Sequence, residues 1–344
     1  MTIDPFWLIA AFGGGTFGAA IGGQTAFIMT GFLYLAGLAG YLGGVDVAPF
    51  MNAVVFGPVM GPHIAFLGGA IAVAYAAKKN YLPAGKNGRD VVTPLTTFGD
   101  HIDIYIVGGI GGMVGYLVNQ VFALIPPLLV ADPLNHYDRE ILGSTDTIAM
   151  TIVVVSIVVR YMYGTTGMFS TKQGPLMWVG DNKEFGDKHW VGYQEKWSHT
   201  SILGVTTGIL SGFATLTIVL YSYESSGGAI VQHAANIGWA ISAISLIFNT
   251  LGLKTPVTHH MTLIGSVAAL KFAPYFAGQN PTEWTSTGLI VPLLLAGLFG
   301  WISAVLCEAL SRATNANGDT HIDPPAFAIF PLTTLIFFMS SIMG

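Results

Sequence analysis

The stretch Asn52–Ala72, NAVVFGPVMGPHIAFLGGAIA, returns in the second half of the chain as Asn249–Ala269, NTLGLKTPVTHHMTLIGSVAA. In both copies an Asn precedes a Pro-Val pair, a His stands eleven residues after the Asn, and a Gly follows the His by five, at Gly68 and Gly265. Pro-Val slips by one residue between the copies, from Pro58-Val59 to Pro256-Val257. Neighbouring matches keep the same order. Gly14-x3-Gly18 precedes the first copy and Gly208-x3-Gly212 the second, while Gly112-x2-Gly115 and Gly297-x2-Gly300 follow them. Asp146-x2-Ala149 and Asp323-x2-Ala326 open the last apolar run of each half. Ordered self-similarity along a whole chain is the mark of an internal repeat.

Composition sets the solvent of this repeat. The 344 residues are 52% hydrophobic and 9% charged, with mean hydropathy +0.63, far from the roughly 25% charged residues of a soluble domain. The expected class is an all-α polytopic membrane protein with the lipid bilayer as partner. The net charge of −5 and the lack of any basic run exclude a nucleic-acid partner. Cys307 is alone, so the sequence implies no internal disulfide and no cysteine metal site. The N-terminus MTIDPFWLIAAF has no basic n-region and carries Asp4, which argues against a cleaved signal peptide.

A hydrocarbon core of about 30 Å needs roughly 20 apolar residues per helix. Ten runs approach that length: 6–22, 24–42, 62–78, 104–128 and 146–163, then 201–222, 228–250, 259–276, 287–310 and 324–343. The first two divide at Gly22-Gly23, where a tight glycine turn separates helices that would be too long as one. Residues 1–163 then form one transmembrane repeat and 201–344 the other. The connector 164–200, with Trp178, Trp190 and Trp197, reads as a structured interfacial loop on the cytoplasmic side. The 130–145 stretch, with His136 and Arg139, reads as an external covering loop.

Basic residues fix the expected orientation. With ten spans, one side collects Lys78, Lys79, Lys86, Arg89, Arg160, Lys172, Lys183, Lys188, Lys196, Lys254 and Arg312, and the other only Arg139 and Lys271. Cytoplasmic loops carry such an excess, so both termini are expected outside, in a prokaryotic cell membrane. Five helices per half make the second repeat enter from the opposite face, giving two inverted repeats, an architecture of many secondary transporters with sites at the repeat interface. The segment 43–61 is apolar yet too short to span and reads as a re-entrant hairpin, while 249–258 reads as a broken helix.

No Asp, Glu, Lys or Arg falls near the centre of an expected span. Arg160 and Lys271 are expected to snorkel from helix ends, and Glu308 has a shorter reach. Asp146 and Asp323 are expected as helix N-caps, with ion coordination as the lesser alternative. The polar residues inside apolar runs are Gln24, Asn52, His63, Asn119, Gln120, Gln232, Asn236, Asn249, His259 and His260. Such groups need partners in hydrocarbon. Asn119 and Gln120 are read first as helix-to-helix hydrogen bonders and kept as pathway candidates. The repeated Asn52, His63, Asn249 and His260, with His259 and Gln24, are the principal candidates for a solute or ion pathway. The His spacing matches no metal motif, and no metal or cofactor is expected.

The expected function is therefore a permease moving a small polar neutral solute or a monovalent ion through a site at the repeat interface. A passive channel, a structural membrane subunit, and a membrane-embedded enzyme are the alternatives, and self-association into a homo-oligomer stays open.

Overall fold

The structure, a computed structural model, describes residues 4–124, 145–169, 194, 196–316 and 318–343. The expected covering loop around His136 and most of the connector, with Trp178, Trp190, Lys172, Lys183 and Lys188, lie outside the described residues, as does the side chain of Gln232. The described chain is helical, and among its residues the one β-bridge joins Gly88 to Thr320. Five helices are long and apolar enough to cross a membrane: Gly23–Leu42, Ile102–Phe122, Trp197–Ser222, Ile290–Asn315 and Pro324–Met343. The other expected spans are shorter or interrupted, except His259–Ala277, which is long enough but less apolar.

The first half begins with α1 (Pro5–Ile21) and α2 (Gly23–Leu42). Asp4 caps α1 by accepting the Phe6 amide at 2.9 Å, with Pro5 pre-set for the first turn. The helices divide at Gly22, as the sequence leads one to expect. Its φ of 87° suits glycine, and a Cβ there would stand 2.9 Å from the Val92 carbonyl oxygen.

The repeated stretch itself departs from expectation. After α2 come α3 (Ala48–Phe50), a π-helical turn Met51–Val55, an irregular break, a second π-helical turn Pro62–Phe66 and α4 (Leu67–Lys78). These pieces do not double back as a re-entrant hairpin. They run steadily down α2: the Met51 side chain packs on Gly37, the Met60 carbonyl accepts Thr30 Oγ1 at 2.7 Å, and the Phe66 carbonyl lies against Gly23. The segment 48–78 is thus one interrupted helical run alongside α2. Its first part looks too short alone because Gly57, Pro58, Gly61 and Pro62 cut the apolar run.

Helices α5 (Ile102–Phe122) and α6 (Thr147–Tyr163) complete this half. The second half contains α7 (Trp197–Ser222), the short consecutive helices α8 (Ile230–Ala234), α9 (Ile237–Ser245) and α10 (Ile247–Thr250), then α11 (His259–Ala277), α12 (Ile290–Leu310) and α13 (Pro324–Met343). Between α10 and α11, residues 253–258 have no regular secondary structure, and Gln194 straps them by donating to the Val257 carbonyl at 3.1 Å and accepting its amide at 2.8 Å.

Small residues set how closely these helices approach. A Cβ added to Gly68 of α4 would stand 2.6 Å from the Gly15 Cα of α1; one on Gly265 of α11 would stand 2.8 Å from the Gly208 Cα of α7. Likewise Gly112 of α5 abuts Gly15, and Gly300 of α12 abuts Gly208. The contacts therefore pair Gly15 with Gly208 and Gly112 with Gly300. The sequence matches suggested Gly14 with Gly208 and Gly112 with Gly297. In a glycine-rich chain, spacing alone leaves the helical face undetermined.

Two pairs of helices hold the halves together, each running antiparallel. Gln24, at the start of α2, reaches Asn249 in α10, whereas Tyr34, further along, donates to the carbonyl of His233 before α9. Thr145, before α6, donates to the Phe330 carbonyl in α13 at 3.1 Å, whereas Arg160 near the end of α6 meets Thr320 before α13 begins. One end of the bundle carries Lys78, Lys79, Lys86, Arg89, Arg160, Lys254 and Arg312. There Arg89 donates to the Asn315 and Ala316 carbonyls at 2.6 Å.

Candidate functional site

Two cavities meet at the broken segment. The larger, ≈ 650 Å³, reaches the surface near the exposed Asp4 and Asp46 and is lined deeper by Asn52, His63, Tyr116, Asn119 and Gln120. The break between the two π-helical turns places Asn52 on one wall and His63 on another, because helical backbone is absent over 56–61. His63 is 3% exposed, and among the described residues its Nδ1 has no hydrogen-bond partner. Asn119 Oδ1 accepts Thr151 Oγ1 at 3.4 Å, so it bonds between helices and also faces the cavity.

The smaller cavity, ≈ 50 Å³, lies between the halves. Its walls come from Phe27 and Asp146 of the first half, and from Asn236, Trp239, His259 and Asp323 of the second. Phe27 packs edge-on against Trp239 at 5.3 Å and against the His259 ring at 4.7 Å. His259 Nδ1 is buried without a partner among the described residues. Phe56 lines both cavities, packed against Tyr34 and Trp239 at 5.8 Å each, and so stands between them.

Asp146 and Asp323 act as expected at their helix starts, accepting the amides of Ala149 and Ala326 at 2.8 Å each. What sequence reasoning missed is that these two carboxylates line one space. The signal was present in the repeated Asp-x2-Ala, where capping ranked ahead of ion coordination. Both carboxylates sit at helix N-termini, where the free N–H groups stabilise negative charge.

The remaining candidates lie elsewhere. Gln24 Nε2 donates to Asn249 Oδ1 at 3.0 Å, a bond between the two halves outside both cavities. His260 is fully buried with neither ring nitrogen partnered among the described residues, its ring perpendicular to that of His259. Its carbonyl accepts Ser303 Oγ at 3.1 Å. Thus Asn52, His63, Asn119 and Gln120 share one cavity, His259 lines the other, and Asn249 and His260 line neither. Among the described residues no group of three His, Cys, Asp or Glu is placed to hold a metal ion.

The expectation that Arg160 and Lys271 snorkel is corrected. Arg160 is 0% exposed and donates to Thr320 Oγ1, to the Thr320 carbonyl, and to the Thr314 and Gly167 carbonyls. Lys271 is buried with its Nζ 4.3 Å from the centre of the Phe337 ring. Each finds its partners within the protein instead of in headgroups. Glu308 is also buried and pairs with Arg312 at 2.6 Å.

A family model matches the chain twice, over residues 1–177 and 179–344, and is described as a family of unknown function, DUF7973. The chain belongs to that family. One DUF7973 unit thus spans α1 to α6 and a second spans α7 to α13. No curated protein and no solved structure matches the chain.

Proposed function

We propose that this protein is a permease for a small polar neutral solute or a monovalent ion. It is built from two inverted five-helix units that cross the membrane ten times, with both termini outside and the basic end in the cytoplasm. Several observations support the inversion. One family model matches both halves, the same glycine contacts recur in each, and α2 with α9 and α6 with α13 pack antiparallel. Matching helices related by an axis in the membrane plane run in opposite senses, whereas an axis along the membrane normal would make them parallel. The basic end fits a cytoplasmic face.

The observation that carries the transport reading is the pair of cavities divided by one side chain. A wide polar vestibule leads from one face to Phe56, behind which lies a small space walled by both units and bearing Asp146 and Asp323. Solute sites of inverted-repeat transporters lie near the midplane at the unit interface. A path interrupted at Phe56 favours a gated carrier over an open channel. A movement of Phe56 joins the two spaces, and the ring seals them again when it returns.

Flux measurements on purified protein in liposomes test this reading. Phe56→Ala should raise passive leak of a small neutral solute or of Na⁺, and Phe56→Trp should lower transport, with both variants keeping the wild-type melting profile. The reading fails if wild type and both variants leave flux at the level of protein-free liposomes for every solute tried. Orientation is tested with single cysteines in a Cys307→Ser background. An impermeant thiol reagent added to intact cells should label position 225 or 279 and spare positions 86 and 254.

A further inference from the structure

The vestibule has a definite charge. Its mouth carries Asp4 and Asp46, and none of the described residues lining it is Lys or Arg. Deeper walls add aromatic rings from Trp7, Phe56 and Tyr116, side-chain amides, and the buried His63, whose Nδ1 lacks a partner among the described residues. The volume of ≈ 650 Å³ falls within the range of small-molecule sites and far exceeds what one bare ion fills. We infer that this vestibule binds a small organic cation, an ammonium-bearing solute, held by the carboxylates at the mouth and by the aromatic rings and amides below.

Each component has a chemical reason. Two carboxylates at the mouth of a cleft with low-dielectric walls concentrate cations and repel anions. Aromatic rings attract an alkylammonium through their negative faces while accommodating its methyl groups, which a bare hydrated ion does not need. Amide oxygens of Asn52, Asn119 and Gln120 accept N–H donors. The inference rests on the proposed reading in taking this cavity as the outer part of a solute path.

The test compares tetramethylammonium, ethylammonium, tert-butanol and pivalate as ligands of the full-length protein in detergent. Binding is followed by thermal shift and calorimetry, since a ligand of the folded state stabilises it by mass action. The ammonium probes should raise the melting temperature and bind more weakly as salt rises, because the mouth is exposed. The double variant Asp4→Asn/Asp46→Asn should lose affinity for them by about tenfold, and Asn at position 4 still caps α1. Trp7→Ala should weaken tetramethylammonium more than ethylammonium. Equal binding of tert-butanol or pivalate, or ammonium binding unchanged in the double variant, overturns the inference. Flux of a neutral solute without ammonium binding overturns it and leaves the permease reading standing. Ammonium binding without any flux supports the site and defeats that reading.

Discussion

Arg160 shows how one residue joins three segments of the basic end. Its guanidinium fork meets the carbonyls of Gly167, Thr314 and Thr320, and Asp319 lies 3.8 Å from its Nε. Lysine cannot reproduce that planar set of donors. Arg160→Met should cost about 3–5 kcal/mol by leaving buried carbonyls unpaired, and Arg160→Lys should recover only part, as read by thermal unfolding in detergent. Asp319 adds a pH dependence. Burial works against its charged form, but hydrogen bonds from Thr165 and Thr166 and the nearby Arg160 outweigh it and hold the carboxyl below its ordinary value. A depressed folded-state value contributes stability above the unfolded pKa of about 3.9, and that contribution is lost as pH falls through the folded value. Wild type should therefore lose stability more steeply than Asp319→Asn as pH drops below about 4. Matching slopes would show that Asp319 contributes nothing to this junction. None of this was legible in the sequence, where an Arg near a helix end reads as a snorkelling side chain.

At the scale of elements, the tightest helix approaches depend on single hydrogens. A methyl group on Gly68 meets the Gly15 backbone at 2.6 Å, and one on Gly265 meets that of Gly208 at 2.8 Å. Backbone cannot rotate aside as a side chain can, so Gly68→Ala and Gly265→Ala must spread helices, with overpacking costs of about 1–3 kcal/mol. Gly13 has nothing within 4 Å, and Gly13→Ala should be neutral or stabilising, since alanine is favoured over glycine in helices by up to about 1 kcal/mol. Melting temperatures of the three variants check the contrast; equal shifts would mean the close approaches do not limit packing. The Gly-x3-Gly spacing announced close contact, yet the partners and register came only from the packed helices.

For the whole molecule, antiparallel contact between α2 and α9 has a direct chemical consequence. A Cβ on Gly31 would stand 3.2 Å from the Ala243 Cβ and 2.9 Å from the Ala240 carbonyl oxygen, so α2 and α9 must part by a few tenths of an ångström, which brings the two Cβ atoms into disulfide range. In a Cys307→Ser background, Gly31→Cys with Ala243→Cys should cross-link within one chain on mild oxidation, without forming a dimer band. If these helices shift during transport, the cross-link should also arrest flux, and reduction should restore it. Failure to cross-link would place the two halves in another arrangement.

By itself the sequence determined the solvent of this protein, the glycine turn at Gly22, the breaks in the repeated stretch and the capping roles of Asp146 and Asp323. Those properties are local: hydropathy sums along the chain, and Gly, Pro and Asp act on backbone within a few residues. Only the tertiary structure decided that 48–78 makes one interrupted run along α2, that Asn249 answers Gln24 across the halves, that His260 stays sealed, and that Asp146 and Asp323 line one cavity with Phe56 at its edge. Those features depend on which helical faces meet between residues far apart in the chain, and in a membrane that choice rests on close packing and scattered polar bonds, which hydropathy does not encode.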